Sequence, residues 1–239
     1  MPAAQKTLLD NQQRSWLDTI DSAAENLLVV INDILDITKI EAGKLDIETI
    51  GFRMKDILSR ATKVMQHKAE EKGINLSWSL DANISPVLIG DPYRLNQVLL
   101  NLIGNAIKFT PKGSVSINCS AGGPLNIGEI QCVRITVKDT GIGMDEPFLN
   151  RLFDKFSQED RTVTRKYGGT GLGMSISKQL VGLMSGHIHV KSQKDKGTEV
   201  ILNIPFLRGR ECDLRQEETI ARDPVIFKGK KFCWSRTTR

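Results

Sequence analysis

The first forty residues carry an apolar pattern distinct from the rest of the chain. Leu17, Ile20, Ala24, Leu27, Ile31 and Ile34 recur at alternating steps of three and four, a heptad seam that predicts one long helix over residues 14–42. Leu28 and Leu35 widen the stripe to the breadth needed inside a helix bundle. Gly43 is a natural stop, and Lys39 and Lys44 suit the negative end of the helix dipole. One amphipathic helix cannot bury such a stripe alone. The pattern calls for partner helices, from other sequence or from a second copy.

After Lys44 the periods mix. Leu45–Ile50 reads as a strand, Met54–Lys72 as a helix stopped by Gly73, and Ile74–Leu80 and Val87–Ile89 as short strands. Pro92 opens a helix running to about Phe109. Ser114–Ser120 and Gln131–Asp139 read as strands joined through a turn-rich loop over 121–126. A Gly-rich turn and a polar stretch to Gly168 follow, then a helix from Leu172 to about Met184. Two strands near Ile188–Ser192 and Val200–Ile204 close the unit at Pro205. Strands and helices that do not alternate strictly predict an α+β, two-layer sandwich with helices on one face of a mixed sheet.

The resulting organisation is a helical region over 1–44, one globular domain over 45–207 and a basic linker over 208–239. From Gly209 onward eight Lys/Arg stand against five Asp/Glu, in a polar stretch without period. No Arg/Lys stripe interleaved with aromatics accompanies it, so nucleic acid is not an expected partner. The four cysteines show neither CxxC spacing nor a histidine at metal-ligand distance, the pattern of reduced thiols. No apolar run approaches a membrane span, so the expectation is a cytoplasmic chain whose parent protein can still be anchored.

The candidate chemistry lies in four separated elements. Asn101, Asn105 and Lys108 fall at i, i+4 and i+7, on one face of the Pro92 helix, with Leu99, Leu102 and Ile103 on the other side. Amide oxygens there can ligate a hard cation, and lysine can pair with phosphate. Asp139 ends a strand beside Gly141 and Gly143, where a carboxylate can accept a hydrogen bond from an exocyclic amine. Gly168, Gly169, Thr170, Gly171, Leu172 and Gly173 run into a helix start, where backbone N–H groups favour phosphate. Before them, Phe153, Phe156, Arg165 and Lys166 lie in a charged stretch with the composition of a lid. Thr198 follows a turn between the last two strands. The Asp-Thr-Gly triplet also fits an aspartic protease turn, which one copy completes only as a dimer.

In this order, the elements resemble the asparagine, glycine and phenylalanine boxes of sensor histidine kinases of the hybrid, two-component type. The resemblance runs from about Leu8 to Leu207, and residues 32–36 and 39–45 resemble the end of the second dimerisation helix. It implies the Bergerat ATP-binding fold shared with gyrase and MutL repair proteins, and ATP and Mg²⁺ as cofactors. It gives Asn105 the metal, Asn101 the phosphate and its water shell, and Lys108 a phosphate contact. Asp139 reads adenine, with Gly141 and Gly143 behind it and Thr198 close by. Phe153 and Phe156 anchor the lid, Arg165 or Lys166 reaches the phosphates, and Gly169, Thr170, Gly171, Leu172 and Gly173 form the phosphate cradle.

ATP-hydrolysing relatives place a glutamate four residues before the metal asparagine. That position is Asn101, and an amide is no general base at neutral pH. Phosphoryl transfer to a delivered imidazole is therefore expected rather than fast hydrolysis. His67, His187 and His189 all lack the acidic neighbour and following proline of an acceptor histidine. The expected partners are a histidine-bearing dimerisation helix supplied by another segment or chain, a response regulator receiver domain, and a second copy bound through the 14–42 helix. The rival expectation is a catalytically silent ATP-binding fragment that docks on an intact kinase and modulates it.

Overall fold

The computed structural model describes residues 10–127, 129–155, 157 and 171–214. Helix α1 spans Asn11–Glu41. Asp10 starts it with a reciprocal cap: its Oδ1 accepts from the Gln13 N–H at 2.7 Å, and Gln13 Oε1 accepts from the Asp10 N–H at 3.1 Å. Gly43, at φ +62°, turns the chain out of the helix. The stripe divides along its length. Ile37 is buried and Ile40 packs on the core, whereas Trp16, Ile20, Leu27, Leu28, Ile31, Ile34 and Leu35 are exposed. Asp36 holds the packed end: Gln97 Nε2 donates to its Oδ2 at 2.7 Å and Arg94 lies 3.4 Å from its Oδ1.

The rest is a helix layer on a sheet. In chain order it runs β1 (Ile50–Phe52), α2 (Met54–Glu71), β2 (Ile74–Leu80), β3 (Leu88–Gly90), α3 (Pro92–Phe109), β4 (Gly113–Ile127) and β5 (Ile130–Asp139). Then come α4 (Glu146–Leu149), α5 (Gly173–Leu183), β6 (His187–Gln193) and β7 (Gly197–Arg208). The sheet order is β1-β3-β7-β5-β4-β2, with β6 also on β7. The β2–β4 pair is parallel and the other pairs are antiparallel, which makes the sheet mixed. Alternation sorts its faces. Val115, Ile117, Val133, Ile135, Val137, Leu202 and Ile204 join Leu58, Leu99, Ile103 and Leu180 of α2, α3 and α5 in one core. Ser116, Asn118, Arg134, Thr136 and Lys138 alternate with the core residues of β4 and β5. The expected α+β sandwich is what forms.

Four local expectations are corrected. Residues 45–49 are not strand; β1 begins at Ile50 because β3, its partner, is only three residues long. Leu45 and Ile47 still pack on the core, and the Glu48 N–H donates to Asp91 Oδ2 instead of to a strand. The loop placed at 121–126 is strand: β4 continues to Ile127, with a register shift between Ala121 and Asn126 that absorbs the Gly-Gly-Pro sequence. β7 does not stop at Pro205, which lies opposite Cys132, because Leu207 and Arg208 still pair with β3. Residues 209–214 are ordered rather than linker. A short 3₁₀ turn, Glu211–Asp213, brings Leu214 into a parallel bridge with Gly51, and Arg53 pairs with Glu211. Gly51 permits this approach, since a Cβ there would stand 2.2 Å from the Asp213 carbonyl oxygen.

Candidate functional site

Asp139 ends β5 and is buried at 8% exposure. Its Oδ1 accepts two backbone N–H bonds, from Gly141 at 2.8 Å and Thr198 at 3.2 Å. Burial pushes the carboxyl pKa up, and these two bonds pull part of that shift back. Both donors use Oδ1, so Oδ2 is the acceptor with no partner among the described residues. An unpartnered carboxylate oxygen that a buried residue leaves open to the surface fits an incoming N–H donor.

Close backbone approaches build the wall around it. A Cβ on Gly197, at φ +96°, would stand 2.1 Å from the Asp139 carbonyl oxygen, and one on Gly143, at φ +61°, 1.9 Å from that of Gln193. The Ser192 hydroxyl ties the same turns together: it accepts from the Met144 N–H at 2.8 Å, donates to the Gly197 carbonyl at 3.0 Å and meets Thr198 Oγ1 at 3.0 Å. Gly141 joins this cluster to α3, since the Ile142 N–H donates to the Phe109 carbonyl at 3.2 Å. A Cβ on Gly141 would stand 2.4 Å from that same oxygen.

Helix α3 is aimed from its start. Asp91 accepts from the Tyr93 and Arg94 N–H groups at 3.0 and 2.9 Å, and Pro92 needs no donor partner at the first position. Asn101, Asn105 and Lys108 are half-buried on one side of the helix. Asn101 Nδ2 donates to Ser177 Oγ on α5 at 2.8 Å, and Asn105 Nδ2 donates to Asn101 Oδ1 at a long 3.4 Å. Lys108 Nζ lies 4.8 Å from the Phe109 ring centroid. Burial, then the cation of Lys72, lowers its pKa. Lys72 itself donates to the Ile107 and Lys108 carbonyls at 2.8 and 2.9 Å, capping the C-terminal end of α3.

The glycine-rich stretch and lid are described in part. Phe153 packs on the core, with Lys178 Nζ 4.9 Å from its ring centroid, and Lys155 pairs with Glu41 of α1. Gly171 takes φ +70°. Leu172 is 1% exposed with its side chain in the core, so only its backbone faces a ligand. Gly173 lies against Asn101: a Cβ there would stand 2.4 Å from Asn101 Oδ1. Phe156, Arg165, Lys166, Gly169 and Thr170 lie outside the described residues.

Several site residues escape sequence reading. Ser192 and Ser177 are serines in ordinary strand and helix sequence, with no local signal. Lys72 lies next to a helix-stopping glycine, and its target is 35 residues away. Gly197 had a signal, a glycine beside the singled-out Thr198. Among the described residues no group of three potential metal-binding His, Cys, Asp or Glu side chains occurs. No described helix is long and apolar enough to cross a membrane.

Residues 90–208 match the family model of the histidine kinase-, DNA gyrase B- and HSP90-like ATPases. The chain is 41% identical over 193 residues to the signal transduction histidine-protein kinase BarA of Escherichia coli, covering 81% of this chain and 21% of the relative. It is 43% identical over 201 residues to the hybrid signal transduction histidine kinase L of Dictyostelium discoideum, 84% of this chain and 12% of the relative. The chain thus spans about a fifth or less of the length of these relatives. Among solved structures, full-length ShkA in complex with AMPPNP superposes with a TM-score of 0.72 at 30% identity, over 86% of this chain and 41% of that one.

Proposed function

Because the chain belongs to the histidine kinase-type ATPases and carries the ATP-binding domain of a sensor kinase, we propose that it binds Mg-ATP and transfers the γ-phosphoryl group to a histidine of another segment or chain in a two-component phosphorelay. The observation that carries this reading is Asp139: a buried carboxylate whose Oδ2 is unpartnered, beside a glycine turn seated on the end of α3. That oxygen accepts from the adenine amine, and Gly141, Gly143 and Thr198 shape the wall. Asn105 offers a hard amide oxygen of the kind magnesium takes. Lys108 meets phosphate, joined in this reading by Arg165, Lys166 and the Gly169–Gly173 segment, while Phe153 and Phe156 hold the lid. A magnesium ion held there by Asn105 would neutralise phosphate charge and orient the transferred group.

Transfer rather than hydrolysis follows from Asn101. Its amide cannot take a proton from water, and it is bonded to Ser177 and Asn105. An imidazole needs no such base, because its free nitrogen attacks phosphorus directly and positioning does most of the work.

In this reading residues 1–44 supply one helix of a dimerisation bundle, 45–207 are the catalytic domain, and 208–239 lead toward a receiver after the short turn docked at Gly51. The exposed apolar stripe of α1 supports a homodimer or a bundle with the histidine-bearing helix. Each such side chain is worth roughly 1.5–3 kcal/mol when buried. The same stripe supports a second reading, a silent fragment that docks on an intact kinase. Incubating the chain with Mg²⁺, labelled ATP and a separately made histidine hairpin separates them. Acid-labile, base-stable label on the hairpin is expected. ATP binding without any label would leave the silent fragment.

A further inference from the structure

Asn101 is held from two sides by the first turns of α5. Gly173 approaches its amide so closely that a Cβ would stand 2.4 Å from Oδ1 and 3.1 Å from Nδ2. One helical turn later Ser177, 1% exposed, accepts from Nδ2 at 2.8 Å. Helix α5 has no side-chain cap at its start, so the orphan N–H groups of its first turn put partial positive charge on the Gly173 side. That charge favours an oxygen there and sets the orientation, and the serine hydroxyl, which can donate or accept, takes the NH₂ group at the other end. The amide therefore has one preferred orientation, Oδ1 toward the α5 start and Nδ2 toward Ser177.

This orientation sets the next group in line. With Oδ1 as the only acceptor Asn101 has, Asn105 approaches it with its NH₂ group, at 3.4 Å. The carbonyl oxygen of Asn105 is then the atom left without a partner among the described residues. Were Asn101 reversed, two NH₂ groups would face one another. Asn105 would have to turn its own oxygen inward to restore a hydrogen bond.

We infer that Ser177 is a positioning residue which, through Asn101, holds Asn105 with its carbonyl oxygen turned outward as the ligand for a divalent cation. The inference deepens the Mg-ATP reading and rests on it. Ser177 touches neither nucleotide nor metal. It acts by holding Asn101 in the orientation the α5 start favours, within a three-residue hydrogen-bond chain, Ser177–Asn101–Asn105. Gly173 serves the same chain by leaving room for Asn101, in addition to any contact its backbone makes with phosphate. The chain of bonds also joins α5 to α3.

The test compares full-length parent, Ser177→Ala and Ser177→Thr by calorimetry, with adenosine, with ATP in EDTA and with ATP in magnesium. Parent ATP affinity is expected to rise with magnesium. In Ser177→Ala that rise shrinks about five- to tenfold, while adenosine affinity, which reports an intact Asp139 pocket and fold, stays within about twofold. Ser177→Thr keeps the hydroxyl and restores the rise. A Ser177→Ala protein that keeps the full magnesium rise overturns the inference alone, as does equal weakening of adenosine and Mg-ATP. A parent that binds ATP with no magnesium rise overturns the metal reading itself, and the inference with it.

Discussion

The two poles of the site are built on opposite principles. Around Asp139 the shape comes from backbone: glycines at Gly143 and Gly197 with positive φ, two N–H donors to one oxygen, and a serine tying two turns together. On α3 the chemistry comes from side chains, two amides and an ammonium, held in register by α5 and by Lys72. Backbone turns cannot be altered without moving the chain, so the Asp139 pole is rigid. Side-chain amides keep the orientation their neighbours impose, so the α3 pole adjusts only as α5 and Lys72 do. A rigid pole suits reading a base, and an adjustable one suits phosphates that change charge and position during transfer.

The comparison breaks most sharply at a glycine of the rigid pole. Gly143→Ala places a methyl 1.9 Å from the Gln193 carbonyl oxygen in a left-handed conformation. A loss of roughly 3 kcal/mol or more is expected, read as a lowered chemical-denaturation midpoint. The single glycine of α3 differs: at Gly104 the nearest neighbour to a Cβ is the Met65 methyl at 3.9 Å, so Gly104→Ala should fold at least as well as the parent.

Asp139→Asn comes next, and separates binding from stability. Losing the carboxylate is expected to cost ATP affinity about 2 kcal/mol, some thirtyfold by calorimetry. The folded, nucleotide-free protein should be no less stable, because an asparagine Oδ1 still accepts both N–H bonds and no charge is buried. The sign with pH follows from the raised pKa of Asp139. Above that pKa the parent carries the full cost of a buried carboxylate. As pH falls through it toward the unfolded value, the folded carboxyl protonates first and the cost disappears. Any stability advantage of Asp139→Asn should therefore shrink on acidification. An advantage that grows instead would contradict the burial argument.

At the adjustable pole, Asn105→Asp sets a second negative charge near phosphate and changes the metal ligand. About tenfold weaker Mg-ATP binding is expected, with adenosine unaffected. The smallest effect belongs to Lys72→Met, which removes the α3 cap and should cost about 0.5–1 kcal/mol of stability. It also removes one of the two causes lowering the Lys108 pKa. Lys108 then stays charged to higher pH, so the alkaline limb of the ATP-affinity profile should move upward. A fixed limb would separate Lys108 from that titration.

Much of the fold was legible because period and punctuation coincide in its main elements. Pro92, Asp91 and the apolar spacing delimit α3, and Gly73 and Gly43 stop α2 and α1 where φ turns positive. Reading failed where pairing overrode local signals. Gly-Gly-Pro at 122–124 looks like a loop, yet β5 supplies the partner that keeps β4 extended through a register shift. Residues 209–214 show no period, since what orders them is distant in sequence: the Arg53–Glu211 ion pair, the Leu214 bridge to Gly51 and the Gly209 N–H bond to the Val87 carbonyl.

The chain by itself determined which residues are candidates for chemistry and contact: the amide and lysine face of α3, the aspartate before its glycine turn, the apolar seam of α1. Those are local matters of period, spacing and side-chain type. Tertiary structure alone decided how they are used. It placed Thr198 and Gly141 on the same oxygen of Asp139, from positions 59 and 2 residues away. It brought Ser177 to Asn101 across 76 residues. It buried Ile37 while leaving Leu27 and Leu28 exposed on the same helix. Hydrogen-bond direction and burial depend on what arrives from elsewhere in the chain, and no local pattern encodes that arrival.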